Sequence, residues 1–236
     1  MVQIPLNTST IIKNPQQTVK KDYIKLHNNE RICNRKLYFF AKRAFDIILS
    51  IIGIVLLSPI FILTAILIKV TSKGPVIFKQ LRSGKNKTHF YMYKFRTMKN
   101  NAPQNLPTKS FQNSTAFVTR VGKFLRKTSV DELPQLFNIL SGDMSIVGPR
   151  PVVLCEKLLI NEREKYFANS VRPGLTGWAQ VNGRDELNEI EKAKFDGYYI
   201  QNVNFILDFI ILIKTIKIVF SGKGIIEGNT VKDKAS

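Results

Sequence analysis

The chain alternates between apolar runs and polar stretches, and the apolar runs are of two lengths. Residues 47–68 (IILSIIGIVLLSPIFILTAILI) carry no charge over 22 positions. As a straight helix that run would measure roughly 33 Å at about 1.5 Å per residue, enough to cross a bilayer core of about 30 Å. Residues 205–220 (FILDFIILIKTIKIVF) form a second apolar helix, too short to span comfortably, whose Asp208, Lys214 and Lys217 make no single polar stripe. It suits a membrane interface or a place under a folded domain. Between the two runs the periods are shorter. Residues 70–99 read as strands and turns, with Gly74-Pro75 and Gly84 as breakers. Residues 100–116 (NNAPQNLPTKSFQNSTA) read as a long mobile loop, and 117–145 as helical. Residues 146–184 are rich in Gly, Pro and Arg, and 185–201 are helical. The polar stretch 1–34 holds no period and reads as a mobile leader. No internal repeat is found.

Two features complicate the long run. Ser58-Pro59 lies in its middle, where a proline removes one helix hydrogen bond and clashes with the preceding turn. Both flanks are basic: Arg35, Lys36, Lys42 and Arg43 before it, Lys69, Lys73, Lys79 and Arg82 after it. A single span would place one basic flank outside, against the positive-inside bias. A helix broken at Ser58-Pro59 that re-enters the same leaflet keeps both flanks on one side, and the Ser58 hydroxyl can serve the carbonyl that the proline frees. A kinked transmembrane helix and a re-entrant one both fit these residues. The run is too long and too apolar all round for a soluble core helix.

Charge narrows the partner. Of 236 residues, 36 are Lys or Arg and 17 are Asp or Glu, a net charge of +19. Such a chain meets polyanions: phosphorylated small molecules, anionic lipid or nucleic acid. A membrane-tethered nucleic-acid binder is the alternative reading, but no helix-turn-helix, RRM or zinc signature is found. Cys33 and Cys155 have neither metal-ligand spacing nor a disulfide framework and read as reduced thiols. The apolar run starts far from Met1 with no cleavage site after it, so a signal peptide is not expected.

Against this basic background stands an acidic pair, Asp131-Glu132. Neighbours on a helix point about 100° apart and can divide two tasks, one carboxylate attacking phosphorus while the other holds a divalent cation. Mg²⁺ takes a few carboxylates plus substrate phosphate oxygens. Equally, Ser129-Val130-Asp131-Glu132 fits a capping box, and both readings stay open on residues alone. Three segments nearby suit anions: Lys94-Phe95-Arg96; GDMSIVGPRP, with Arg150 between two prolines; and RPGLTGWAQVNGR, which holds Trp178 and ends on Arg184.

The block 125–140 (LRKTSVDELPQLFNIL), followed by GDMSIVGPRP and RPGLTGWAQVNGR, closely resembles the bacterial sugar transferase family, the monotopic phosphoglycosyl transferases. Lys42-Arg43-Ala44-Phe45-Asp46, Ser58-Pro59, Gly74-Pro75-Val76-Ile77-Phe78-Lys79-Gln80 and Tyr93-Lys94-Phe95-Arg96-Thr97-Met98 match as well, so the resemblance covers about residues 36–222. It implies transfer of a sugar 1-phosphate from a UDP-sugar donor to undecaprenyl phosphate with release of UMP. It implies Asp131 as nucleophile and Glu132, with Asp131, at Mg²⁺. Lys94, Arg96, Arg126 and Arg150 would lie near the phosphates, Arg184 near the nucleotide diphosphate, and Asp196 in a supporting role. The implied fold is α+β and helix-dominated, membrane-monotopic, with a re-entrant N-terminal helix, interfacial helices and a small cytoplasmic catalytic domain. Its expected parts are a leader 1–34, a re-entrant helix 35–72, a catalytic domain 73–222 and a tail 223–236. The implied location is the cytoplasmic leaflet of a bacterial cell membrane, against anionic lipid. The sugar and the oligomeric state, a homo-oligomer included, stay open. Two positions depart from the family pattern: Asn188-Glu189-Ile190, where a Trp is frequent, and Asn204, where a Ser is common.

Overall fold

The computed structural model describes residues 35–102, 114–183 and 186–221. The chain divides into two units, Met1–Lys36 and Leu37–Ser236, and the second holds nearly all that is described. The expected leader, most of the 100–116 loop, Arg184 and the tail lie outside the described residues.

The long apolar run forms two helices, α1 (Lys36–Leu56) and α2 (Ser58–Thr71), bent by 61° at the break. Pro59 has no N–H to give to the carbonyl four residues back, which is that of Val55. The Ser58 hydroxyl donates to that carbonyl at 2.8 Å, so the break leaves no orphan there. Among the described residues no single helix is long and apolar enough to cross a membrane, but the bent pair passes that test together. Its burial is inverted relative to a soluble helix. In α1 the buried positions are Lys42, Asp46 and Ser50, four residues apart on one face. The outward positions are Phe45, Ile48, Leu49, Ile52 and Leu56, with Ile62, Leu63 and Ile66 in α2.

Two adjoining cores lie against the inner side of this pair. One joins Phe90, Met92, Leu136, Ile139 and Met144, with Ile54 and Phe61 packed on it. The other joins Ile68, Phe95 and Leu125. Phe90, Met92 and Phe95 come from an antiparallel hairpin, β1 (Ile77–Ser83) and β2 (His89–Phe95), paired from Ile77↔Phe95 to Ser83↔His89. Its tip is a 3-10 turn over Lys85–Lys87.

The stretch 117–145, expected to be helical around the acidic pair, is helical only in pieces. After a single turn, α3 (Ser114–Phe117), come α4 (Arg120–Lys127), a 3-10 turn over Val130–Glu132, and α5 (Gln135–Ser141). Two residues break the run: Ser129 takes a left-handed φ of 56°, and Pro134 stands where α5 begins. Beyond α5, β3 (Ser145–Val147) pairs in parallel with β4 (Gly174–Thr176). Between these strands lies α6 (Lys157–Glu164); after them come α7 (Trp178–Val181), α8 (Glu189–Asn202) and α9 (Phe205–Ser221).

Both departures from the family pattern are helix caps. Asn188 accepts from the Glu191 amide in a full capping box at the start of α8. The Asn204 side chain accepts from the Leu207 amide at 2.8 Å at the start of α9, as a serine would. Helix α9 buries Leu207, Asp208 and Ile211 and exposes Phe205, Ile206, Phe209 and Ile216. Its Asp208 is the polar contact to α1: Lys42 Nζ and Tyr38 Oη both donate to Oδ2, at 2.7 and 2.6 Å, and Tyr199 donates to Oδ1 at 2.8 Å.

Candidate active site

Three elements converge on the acidic turn. The end of β2 brings Lys94, the last turn of α4 brings Arg126, and the loop after β3 brings Arg150. Lys94 Nζ donates to Glu132 Oε1 at 2.7 Å, and Arg150 Nη2 donates to the same oxygen at 2.8 Å. The capping box is not formed: the Ser129 side chain makes no cap hydrogen bond, and Glu132 is turned to the two cations instead.

The two carboxylates sit in contrasting environments. Burial opposes the ionised form of Glu132, but Arg150 and Lys94 outweigh it and hold that carboxyl well below the usual range. Asp131 is 8 % exposed and no hydrogen bond from the described residues reaches its carboxylate. Burial pushes its pKa up from 3.8 to about 6, with Lys94 opposing, Glu132 adding to the rise, and Arg126 and Arg150 opposing. The result is a carboxylate held towards its ionised form beside one whose charge is poorly solvated and, among the described residues, unpaired.

Mg²⁺ fits this donor set. Both ion pairs of Glu132 use Oε1, which leaves Oε2 and the two oxygens of Asp131 as hard donors. Among the described residues no cluster of three His, Cys, Asp or Glu forms a closed protein cage. Magnesium seldom needs one, since it keeps waters and binds through one or two carboxylates plus substrate phosphates.

The remaining expected residues divide. Arg126 Nε donates to Thr97 Oγ1 at 2.9 Å, and its charge still reaches Asp131. Arg96 is used elsewhere. Its guanidinium donates to the Ser72 carbonyl and hydroxyl, both at 2.7 Å, to the Lys73 carbonyl at 2.9 Å and to Asn100 Oδ1 at 3.1 Å. It therefore closes the carbonyl end of α2. The chain must pass very near it: Gly74 has φ +121°, and a Cβ there would collide with Arg96 Nη1. Asp196 does not meet the acidic pair. It is 1 % exposed and paired with Arg163 at 2.6 Å.

Three participants were not singled out from sequence. Arg82 is close enough to Glu132 and Arg150 to feel both charges. Arg163 reaches Arg150 through its backbone, donating from Nη1 to the Arg150 carbonyl at 2.9 Å. Asn138 ties α5 to β2, accepting from the Tyr93 amide at 2.9 Å and donating to the Tyr91 carbonyl at 2.8 Å, which holds the acidic turn against Lys94. A signal existed for one of them: Arg163 falls four residues after Leu159, at the spacing of one helix face.

A family model described as bacterial sugar transferase matches residues 37–222. The chain belongs to that family. Among its relatives is a UDP-N-acetylgalactosamine-undecaprenyl-phosphate N-acetylgalactosaminephosphotransferase of Aeromonas hydrophila, 41% identical over 216 residues, covering 87% of this chain and 50% of that protein. The exopolysaccharide production protein ExoY of Sinorhizobium fredii is 39% identical over 198 residues, covering 78% of this chain and 87% of ExoY. A UDP-glucose:undecaprenyl-phosphate glucose-1-phosphate transferase of Escherichia coli is 42% identical over 182 residues, covering 74% of this chain and 39% of that protein. The sugar transferase thus spans half or less of the Aeromonas and Escherichia relatives and most of ExoY. The acidic turn, Lys94 and Arg150 all fall inside the matched segment.

Proposed function

We propose that this sugar transferase moves a sugar 1-phosphate from a UDP-sugar to undecaprenyl phosphate and releases UMP, the first membrane step in building a polysaccharide or glycoconjugate. The observation that carries the reading is the buried Asp131 carboxylate, unpaired among the described residues, beside a Glu132 locked by Lys94 and Arg150. An unpaired, desolvated carboxylate is a better nucleophile than one tied up in hydrogen bonds.

In the first half-reaction an Asp131 oxygen bonds to the phosphorus that bears the sugar. The bond from that phosphorus to the bridging oxygen breaks, and UMP leaves with the electron pair. In the second, a phosphate oxygen of undecaprenyl phosphate bonds to the same phosphorus and the Asp131 carboxylate is released, leaving undecaprenyl-diphospho-sugar. Lys94, Arg126 and Arg150 place positive charge where the transferring phosphoryl group gathers negative charge. Glu132 keeps Lys94 and Arg150 at a fixed spacing. Asp131 and Glu132 Oε2 would hold Mg²⁺, which would supply neutralising charge for the phosphates. Arg184 joins the donor diphosphate, and Arg96 secures the end of α2.

The inverted burial of α1 and α2 supports insertion of the bent pair into one leaflet, with both basic flanks at the cytoplasmic face against anionic lipid. The acceptor, whose chain lies in the same leaflet, then meets Asp131 at the membrane surface.

The test is UMP release in nanodiscs with undecaprenyl phosphate, Mg²⁺ and a panel of UDP-sugars that includes UDP-glucose and UDP-N-acetylgalactosamine. UMP that appears with a donor, requires Mg²⁺ and vanishes in Asp131→Asn supports the reading. An active Asp131→Asn enzyme excludes the aspartyl intermediate.

A further inference from the structure

Arg150 lies between two prolines, Pro149 and Pro151, in a loop with no helix or strand of its own. Yet its guanidinium must stay within 2.8 Å of Glu132 Oε1. Proline fixes φ on either side but gives no amide to anchor the chain. The anchoring is done through carbonyls instead. Arg163 Nη1 donates to the Arg150 carbonyl at 2.9 Å, Arg82 Nη1 to the Pro151 carbonyl at 3.1 Å, and the Ser83 amide to the Val152 carbonyl at 3.0 Å. Three consecutive carbonyls are thus each gripped, two by arginine side chains from different elements.

Both arginines are themselves held. Arg163 is 5 % exposed and gives Nε and Nη2 to Asp196 Oδ2, at 2.8 and 2.6 Å. Its fork is split, one side neutralised by Asp196 and the other aimed at the loop. Arg82 gives Nη2 to Gln80 Oε1, its neighbour two residues along β1. Behind the loop, Val152 packs with Leu159 of α6 and Ala193 of α8, the helices that carry Arg163 and Asp196. A buried guanidinium is a costly way to hold a loop that apolar packing could hold. Arg163 bears that cost in full and the half-buried Arg82 in part, on one short segment, and this calls for a reason beyond folding.

We propose that Arg82 and Arg163 are positioning residues that act through Arg150. They fix the Arg150 and Pro151 carbonyls and thereby aim the Arg150 guanidinium at Glu132 and the phosphoryl group. Asp196 serves the same chain of contacts by orienting Arg163. This rests on the transferase reading of Asp131 and Glu132. Neither arginine touches substrate; each sets the direction of a group that does, as an outer shell orients metal ligands. A misplacement of about 1 Å in such a group can cost about a hundredfold in rate.

The test is a double-mutant cycle on the full chain in nanodiscs. Arg163→Lys keeps the charge beside Asp196 but loses the split fork, and Arg82→Met keeps apolar bulk without the donor. Each is expected to lower kcat by about 10- to 100-fold while donor KM stays within about twofold. In an Arg150→Ala background the same changes are expected to add less than about twofold, because the group they aim is gone. Full activity in both single variants overturns the proposal, as does a loss that multiplies undiminished with Arg150→Ala. A second arm needs no turnover. Hydrogen exchange in the 146–156 segment is expected to quicken about tenfold or more in Arg163→Lys, while α1 is unchanged. Unaltered exchange there overturns the clamp. Should the wild-type protein release no UMP with any donor, the transferase reading fails, and the exchange arm alone decides the clamp.

Discussion

Replacing Asp131 with Asn is expected to abolish turnover and, at the same time, to stabilise the protein. Asp131 is buried without a hydrogen bond from the described residues, and burial pushes its pKa up from 3.8 to about 6. At 1.36 kcal/mol per pKa unit, keeping it ionised costs the folded state about 3 kcal/mol at neutral pH. Asparagine has the same shape and no charge. Its buried amide lacks partners too, which costs about 1–2 kcal/mol. The net gain is therefore about 1–2 kcal/mol at pH 7.5, a rise in Tm of about 2–8 °C for a chain of this size. The sign follows from proton linkage. A carboxyl with a raised folded pKa binds its proton more tightly when folded, so the wild-type penalty is complete above about pH 6 and absent below about pH 4. The advantage of the variant should accordingly shrink as pH falls through that window. The assay is thermal unfolding in EDTA, with and without the substitution, at pH 7.5 and pH 4.5. A helix-cap role predicts no change, since Asn caps as well as Asp. A fall in Tm at pH 7.5, or a gain that does not depend on pH, would refute the burial argument even if activity is lost.

Three further outcomes follow from the same contacts. The UMP burst with donor alone should have a kcat/KM that is flat above about pH 6 and falls tenfold per pH unit below it, because Asp131 must be ionised to attack; a profile flat to pH 4.5 would assign the nucleophile elsewhere. Gly74→Ala should lower Tm by several degrees and free the Arg96 guanidinium from Ser72, since a Cβ at φ +121° would collide with Arg96 Nη1; an unchanged melting curve would contradict that crowding. Glu132→Gln should cut kcat by at least about a hundredfold and lower the pKa of Asp131, because removing the neighbouring negative charge frees Lys94 and Arg150 to act on Asp131 alone; a burst profile whose acid limb fails to move lower would speak against that coupling.

How much was legible in the sequence depended on whether a residue's task was local. The break at Ser58-Pro59 could be read because a proline's effect reaches only four residues back, and the serine sits within that reach. Strands and turns over 70–99 could be read from the glycine breakers, though their pairing into a hairpin at 77–95 came only from the structure. The acidic turn was harder. Its residues fit a capping box as well as an acidic site, and only Lys94, 38 residues away, and Arg150, 18 away, show that Glu132 is turned away from the cap. Arg96 was expected near the phosphates from the family pattern; β2 ends at Phe95, and the chain beyond carries the Arg96 guanidinium to the end of α2.

The inverted burial of α1 leads to a last prediction about topology. Lys42, Asp46 and Ser50 face inward, and Lys42 is paired with Asp208 of α9, while the opposite side of the helix is apolar. In water that arrangement would be unfavourable on both faces. In a leaflet it places the polar stripe against protein and the apolar face against lipid. The bend is then what decides whether the pair re-enters or spans. Pro59 removes one helix bond, and the Ser58 hydroxyl compensates the Val55 carbonyl. Replacing both with alanine restores a backbone N–H at position 59 and removes the hydroxyl that competes for the same carbonyl. A continuous helix then satisfies Val55 in the usual way, and roughly 3 kcal/mol of opposition to straightening disappears. The double variant should therefore populate a spanning form. A cysteine introduced at Lys36 should become reactive to an impermeant thiol reagent from outside the cell in the variant and stay protected with Ser58-Pro59 present. The control carries Cys33 and Cys155 changed to serine. Equal protection in both would mean that the Lys42–Asp208 contact and the packing of Ile54 and Phe61 on the domain core hold the bend without the proline.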